Sequence, residues 1–276
     1  MPSAALQEIV EYRGVCDLVA AKILTDNDTD GYTTGSVFAV AGVAEISKST
    51  EQSNESHYYD NIPAIVISSM GADTISISAS AIPLDVQAEL TGQTYDSATG
   101  ALIEEEATAP YFAIGYKTQD TSGHEMYVWR YKGKFTLGDQ VNATKNAGTD
   151  ANGQTLTYTG VSTTKKFSKT GRGAKAIVVD TSKELCSVTN FFSSVTTPDD
   201  LTGSTARTLT ITQAAGTTVT VKHNGEALAT GATIYDGWHL QISVTGGTVT
   251  VNSDNWFSGD IHVVSGNTTV VSTAAA

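Results

Sequence analysis

Residues with types and spacing suited to chemistry fall in four places, and each admits a plainer reading. Asp26-x-Asp28-x-Asp30-Gly31 copies the first half of a calcium loop, in which alternating carboxylates close on a hard cation. The twelfth position should then be a glutamate binding through both oxygens; here it is Val37, and no helix signal brackets the loop. A solvated acidic hairpin loop is the expected form, with Asp26, Asp28 and Asp30 kept as a weak cation candidate. Glu104, Glu105 and Glu106 could offer paired carboxylates for acid–base work, but consecutive residues point in different directions and share no cleft. They read as a solvated segment. Lys165–Lys175 (KKFSKTGRGAK) is basic and glycine-containing, yet lacks the spacing and terminal Lys-Ser/Thr pair of a phosphate loop, so it reads as a turn. His223, His239 and His262 lie in or beside predicted strands with no evident ligand partners and are expected to be structural. With no serine-centred elbow, metal cluster or cleft-forming carboxylate pair, the expectation is a protein that is not an enzyme and needs no cofactor.

The composition narrows the class further. A formal net charge of −13 argues against gripping nucleic acid by its phosphates, which takes clustered Lys and Arg. Hydrophobic content of 40% is that of a globular protein, and 276 residues hold one large β domain or two smaller ones. Cys16 and Cys186 are far apart in sequence, which suits buried thiols made in a reducing cytoplasm, with a disulfide between them as the lesser option. The N-terminal MPSAALQEIVEYRG lacks the basic and apolar regions of a secretory signal, and no apolar run reaches the length of a membrane helix. Abundant Thr, Ser, Val and Gly with few helix signals predict an all-β fold.

The elements that must position everything else centre on residues 37–90. Two apolar runs, VFAVAGVAEIS and IPAIVISSMG, flank a polar stretch, KSTEQSNESHYYDN, which is expected to be an elaborate loop over Lys48–Asn61. Thr74–Ser80 then alternates strictly, with Ile75, Ile77 and Ala79 on one face and Thr74, Ser76, Ser78 and Ser80 on the other, as a half-buried strand does. The uncharged hydroxyl face suits a smooth wetted wall better than a grip on a ligand. Val15–Leu24 predicts a strand or, less well, a short helix; Leu84–Leu90 predicts a helix started near Asp85 and stopped by Gly92. PYFAIGYKTQ and HEMYVWRYKGKFTLG predict a hairpin whose second strand puts Tyr127, Trp129, Tyr131 and Phe135 on a core face, and Val128, Arg130, Lys132 and Lys134 opposite. Arg130, Lys132 and Lys134 are expected to meet carboxylates of a neighbouring subunit. Further strands are predicted around Leu156 and Tyr158, at Ala176–Val179 and at Val188–Val195. TTPDDLTGSTA marks a boundary, giving domains 1–200 and 201–276. The second, with short strands between Gly and Asn turns and little charge, reads as a small immunoglobulin-like β-sandwich. Its Trp238 and Trp256, with Phe257, form either part of that core or a glycan platform.

Long composite blocks of the first domain carry a family resemblance: GVCDLVAAKILTDNDTDGYTTG, VAGVAEISKSTEQSNESHYYDNIPAIVIS, LTGQTYDSATGALIE, PYFAIGYK and YVWRYKGKF. Over roughly Leu6–Asp200 the chain resembles the major tail protein, or tail tube protein, of long-tailed phages of Gram-positive bacteria. The resemblance implies a β-sandwich or barrel with one short flanking helix. It implies a homo-oligomer of six-membered rings, stacked into a hollow conduit through which double-stranded DNA passes without specific binding. It implies neighbours in the tail (tape measure, tail terminator and distal tail proteins), a place in the virion tail, synthesis in the host cytoplasm and no membrane. The family's ring-stacking loop maps to Lys48–Asn61, so Glu51, Asn54, Glu55, His57, Tyr58, Tyr59 and Asp60 are the expected stacking residues. Thr74, Ser76, Ser78 and Ser80 are the expected lumen-facing ones. The C-terminal domain lies outside the likeness and resembles sandwiches displayed on tube exteriors. A two-domain surface adhesin or glycan-binding module, resting on Trp238 and Trp256, is the competing reading.

Overall fold

The computed structural model describes residues 11–59, 61–138 and 153–275, and strands make up most of them. No helix among the described residues is long and apolar enough to cross a membrane. The chain forms two compact units, one drawn from Met1–Ser182 and Val188–Leu201, the other from Lys183–Ser187 and Thr202–Ala276. The boundary expected at residue 200 therefore has a companion upstream. Lys183–Ser187 joins the second unit, where Cys186 bridges Gly203 and the Ser204 amide donates to the Leu185 carbonyl.

The first unit runs β1 (Tyr12–Asn27), β2 (Gly31–Thr34), β3 (Phe38–Ala39), β4 (Val43–Tyr59), β5 (Ile62–Ala79), α1 (Leu84–Thr91), β6 (Thr94–Asp96) and β7 (Ala101–Ile103). It continues through β8 (Phe112–Asp120), β9 (Glu125–Leu137), β10 (Gln154–Val161) and β11 (Ala176–Asp180). The main sheet has the order β2-β1-β8-β9-β10-β5-β4, with β11 on β9 and β3 on β1. Because β3 pairs with β1 and β4 pairs with β5, the chain between them carries the last strand back to the first. The Val40 amide donates to Leu18 on one side of this passage, and the Ser80 amide donates to Gly42 on the other. The sheet thus curls into a barrel-like wall. Inside it pack Leu18, Ile75, Ile77, Ile114, Leu156 and Tyr158, all at most 2% exposed, with Val128 and Phe135 beside them.

Val15–Leu24 is strand throughout, paired along β8, with irregularities on either side of Val15–Cys16 where Gly14 and Asp17 take positive φ. Helix α1 is stopped by Gly92 in the left-handed conformation; Leu90 is fully buried and Val86 packs on the core.

Strand β9 departs from the expected alternation. One extra residue lies between the pairs Ile114–Arg130 and Phe112–Gly133, so the side chains beyond it change face. Phe135 consequently shares the barrel core with Val128, and Trp129 and Tyr131 face outward. That outer face is covered. The stretch Val188–Val195, expected as a strand, is a run of turns. A strand would send consecutive phenylalanines to opposite sides. The turns instead lay both Phe191 and Phe192 against Tyr127, at 5.4 and 5.5 Å between ring centroids. The Trp129 indole donates to the Phe191 carbonyl at 2.8 Å, and Tyr131 packs on Phe167. Cys16 is exposed, contrary to the expected buried thiol, and both cysteines are free.

The second unit comprises β12 (Ala206–Thr212), β13 (Thr218–His223), β14 (Glu226–Leu228), β15 (Thr233–Tyr235), β16 (His239–Thr245), β17 (Gly247–Val251), β18 (Asp254–Trp256), β19 (Asp260–Val263) and β20 (Thr268–Ala274). Sheets of order β15-β12-β20-β17-β18 and β14-β13-β16-β19 share one core, with Leu209, Val221, Ile234, Leu240, Ile242 and Val270 fully buried. This is a β-sandwich. Its first and last strands, β12 and β20, pair in parallel from Leu209–Thr268 to Thr212–Val271.

Gly133 sits where β9 re-enters the core, and a Cβ there would run into the Tyr158 ring and stand 2.5 Å from the Thr159 carbonyl oxygen. Gly133→Ala is therefore expected to destabilise the first unit by about 1–3 kcal/mol, the range for overpacking, read as a lowered urea midpoint at unchanged slope.

Candidate functional site

The strands β4 and β5 outrun the wall they belong to. Strand β10 covers β5 only from Asp73 to Ala79. Beyond Asp73 the two strands continue as a two-stranded ribbon, paired from Gln52–Met70 to Tyr59–Ile62 and turning at Asn61 with positive φ. Eight residues on the β4 side give this arm a reach of roughly 26 Å at strand rise. The polar stretch expected as a loop is therefore one strand of a hairpin. The reason is visible in its partner, since the β-branched run Ile65-Val66-Ile67 supplies the ladder that KSTEQSNESHYY would not build alone.

The arm is exposed on both faces. Strand β4 contributes Glu51, Asn54 and Glu55, all exposed, and half-buried His57, with Tyr58 and Tyr59 at 66% and 60% exposure near the tip. Asp60 lies outside the described residues. Strand β5 contributes Ile62, Ile65, Val66, Ile67 and Met70, each at least 50% exposed. Successive side chains of a strand point to opposite faces, so Ile65, Val66 and Ile67 present apolar surface on both. An unbroken apolar run of this kind belongs to strands covered on two sides. Among the described residues, nothing pairs with the outer edge of β5 over Ile62–Ala72, nor with the outer edge of β4 along the arm. Such an edge templates pairing with another chain.

At the root, Asp73 points into the end of the barrel with its side chain 5% exposed. Lys175 lies 3.1 Å away, Arg130 3.4 Å and Lys48 3.9 Å. Burial pushes the Asp73 carboxyl up, but hydrogen bonds from Lys175 and Thr50 and the nearby lysine charges outweigh it and hold the group below the usual carboxylate range. Arg130 also donates to the Tyr116 hydroxyl at 3.2 Å, and Lys175 to the Gly71 carbonyl.

Directly opposite residues of an antiparallel pair share a face, and on the outside of the wall this places hydroxyls side by side. Thr74, Ser76 and Ser78 of β5 stand between Ser49 and Ser47 of β4 and Thr159, Thr157 and Thr155 of β10. Thr136 of β9 extends the row past Thr157. Thr74, Ser76 and Ser80 are exposed and Ser78 is half-buried, as the alternation predicts. Glu45 and Lys134 are the charges at its margins, in register with Ser78 and Thr159.

Asp26 is not solvated: its side chain is 5% exposed, 2.5 Å from the Lys132 ammonium, and it accepts from the amides of Thr164 and Lys165 at 2.9 Å. Burial pushes it up, and these donors outweigh burial and hold it low. Asp28 accepts from the Lys166 amide, and Asp30 is bonded by Asn27. Asp26 and Asp28 thus staple the β1–β2 turn to residues 164–166, Asp30 stays within the turn, and the three do not converge on one point. Arg130 and Lys132 meet Asp73 and Asp26 of their own chain, where a neighbour's carboxylates were expected; Lys134 lies 4.8 Å from the Tyr111 ring centroid. Trp238 stacks on His223 at 3.9 Å, and Trp256 meets His262 edge-on at 5.6 Å. Both indoles pack against the sandwich core, so they do not offer a shared open face. Sequence reasoning missed Asp73 and the apolar side of the arm. The signal for the second was the lack of alternation in IPAIVI.

No family model and no curated protein matches the chain. Among solved structures, a chain of the anti-feeding prophage baseplate, seen by cryo-electron microscopy with six-fold symmetrisation, aligns over 65% of this chain and 97% of its own length. The identity is 11% and the TM-score 0.25. An overlay this loose carries no argument about function.

Asp26 gives a pH prediction with a definite sign. Its carboxyl is held low in the folded state, so the stabilisation is complete above the ordinary value of 3.8 and disappears as pH falls below it. Asp26→Asn is expected to cost about 3–5 kcal/mol at pH 7, because it leaves the Lys132 charge buried without its partner. The deficit should shrink as urea titrations move from pH 5 to pH 3.

Proposed function

We propose that this chain is a structural subunit of a phage tail tube, closing into hexameric rings that stack into a conduit for DNA, with no catalysis of its own. The observation that carries the reading is the β4–β5 arm, a hairpin exposed on both faces whose apolar strand has no cover among the described residues. Ile62, Ile65, Val66, Ile67 and Met70 keep half to two-thirds of their surface in water, which forgoes about 1–2 kcal/mol per side chain, so an occupant is built into the design. The occupant is other copies of the same chain. Tyr58 and Tyr59 at the tip are residues of the kind interfaces use as anchors.

The hydroxyl wall supports the same reading. A lumen for DNA must not bind phosphates, and a face of Ser and Thr in a chain of net charge −13 offers neither cation clusters nor a sequence-reading surface. Thr74, Ser76, Ser78 and Ser80 are the lumen candidates, continuous with Ser47 and Ser49 on β4 and with the threonines of β10. In this reading the second unit decorates the tube, and the chain's partners are the tape measure, tail terminator and distal tail proteins of the same virion.

Negative-stain microscopy of the purified protein, with tail-initiation partners added, is expected to reveal rings and tubes; monodisperse monomers at high concentration would sink the reading. Replacing Gln52–Met70 by a two-residue Asn-Gly turn should leave the melting temperature of the first unit within a few degrees and abolish tubes. Tubes of normal length from that variant would refute the role of the arm. Ile67→Lys should weaken assembly while leaving the monomer folded, since the side chain is 55% exposed and has no core contact to lose.

A further inference from the structure

We propose that Asp73 is the positioning residue of the arm, a buried anchor that fixes the direction in which β4 and β5 leave the barrel before any second copy binds. A two-stranded ribbon alone in water is marginal and swings about its root. Here the root coincides with the last β10–β5 pair, Gly160–Asp73, and with an irregularity between Thr50 and Gln52, where Glu51 opposes both Gly71 and Ala72. Bulges bend and twist the strand that carries them, so the exit angle is decided at these few residues.

The charges converge on that point from several elements. Lys48 and Thr50 come from β4, on the face they share with Ile75 and Asp73. Arg130 comes from β9, two strands away, itself bonded to Tyr116 of β8. Lys175 precedes β11 and bonds both the Asp73 carboxylate and the Gly71 carbonyl beyond it. Glu51 stands over Gly71, where an added Cβ would lie 2.6 Å from its carboxylate oxygen, so glycine is what lets it approach. Lys175 therefore ties the first residues of the ribbon to the body, and Arg130 ties the same carboxylate across the barrel end. Breaking a buried pair leaves a charge without its partner, so the tie is stiff. Its value to assembly, which rests on the tube reading above, is preorganisation: an arm already aimed loses less freedom when it docks. Asp73 touches no neighbour in this role; it acts through the backbone of β5.

The test separates aim from assembly. In a Cys16→Ser, Cys186→Ser background, spin labels go on Ser56→Cys in the arm and Glu89→Cys on α1, both exposed sites. The unaltered root should give one narrow electron–electron distance. Asp73→Asn and Lys175→Met should each broaden it at least about twofold, Lys175→Arg should restore it, and Lys166→Met, which breaks a solvated pair elsewhere, should not change it. The concentration needed for ring formation should rise about tenfold in the two broadened variants. Lys175→Met keeps the test open where Asp73→Asn fails to fold. Unchanged distance distributions in a folded variant would overturn the anchor. Broadened distributions with an unchanged assembly threshold would overturn its part in assembly. If the wild-type root forms no rings at all, the tube reading fails separately and the distances alone decide on Asp73.

Discussion

The first unit depends on how β9 divides its two faces. Its extra residue, between the pairs Ile114–Arg130 and Phe112–Gly133, sends Val128 and Phe135 into the barrel and Trp129 and Tyr131 to the outside. Without that shift, the aromatic row would lie on one side, and the barrel end would lack Phe135 between Phe112 and Tyr158, which it meets at 5.8 and 5.2 Å. The same strand gives Arg130 to Asp73 and Lys132 to Asp26. It therefore holds the core, the covering turns with Phe191 and Phe192, and the two buried carboxylates in one register.

The chain carries 16 Lys and Arg against 29 Asp and Glu. In so acidic a chain, cations are the scarcer partner, and several are used inside. Two of the best-buried acids, Asp26 and Asp73, are both fully supplied with donors. Buried pairs are weak sources of net stability but penalise every arrangement in which one partner is missing. The pairs thus define which arrangement of β1, β5 and β9 is admissible, and the apolar core supplies the stability. The arm is the reverse case, with apolar surface and no interior.

Much of this was legible in the sequence. The alternation of Thr74–Ser80, the β8–β9 hairpin, the short helix ending at Gly92 and the sandwich strands of the second unit follow from local periodicity and turn residues. What failed depended on long-range pairing. Lys48–Tyr59 looks like a loop because polar residues dominate it, and its strand character comes from Ile62–Gly71 across the ladder. Val188–Val195 looks like a strand because it is apolar, yet two adjacent phenylalanines share one surface. The face of Phe135 turned on a bulge that no local pattern marks. The weighting of Asp26-x-Asp28-x-Asp30 against a cation site followed from Val37, but the amides of residues 164 and 166 that occupy the Asp26 and Asp28 carboxylates lie 138 positions away in sequence.

In the second unit, β12 and β20 are parallel neighbours bonded over four residue pairs. Parallel ladders space their hydrogen bonds evenly along the strands. A pull that drags these two strands apart lengthwise loads all of those bonds at once, in shear, where an antiparallel hairpin pulled from its open end would unzip them one at a time. The topology of the sandwich therefore sets tension along its own terminal strands against a whole row of bonds at once.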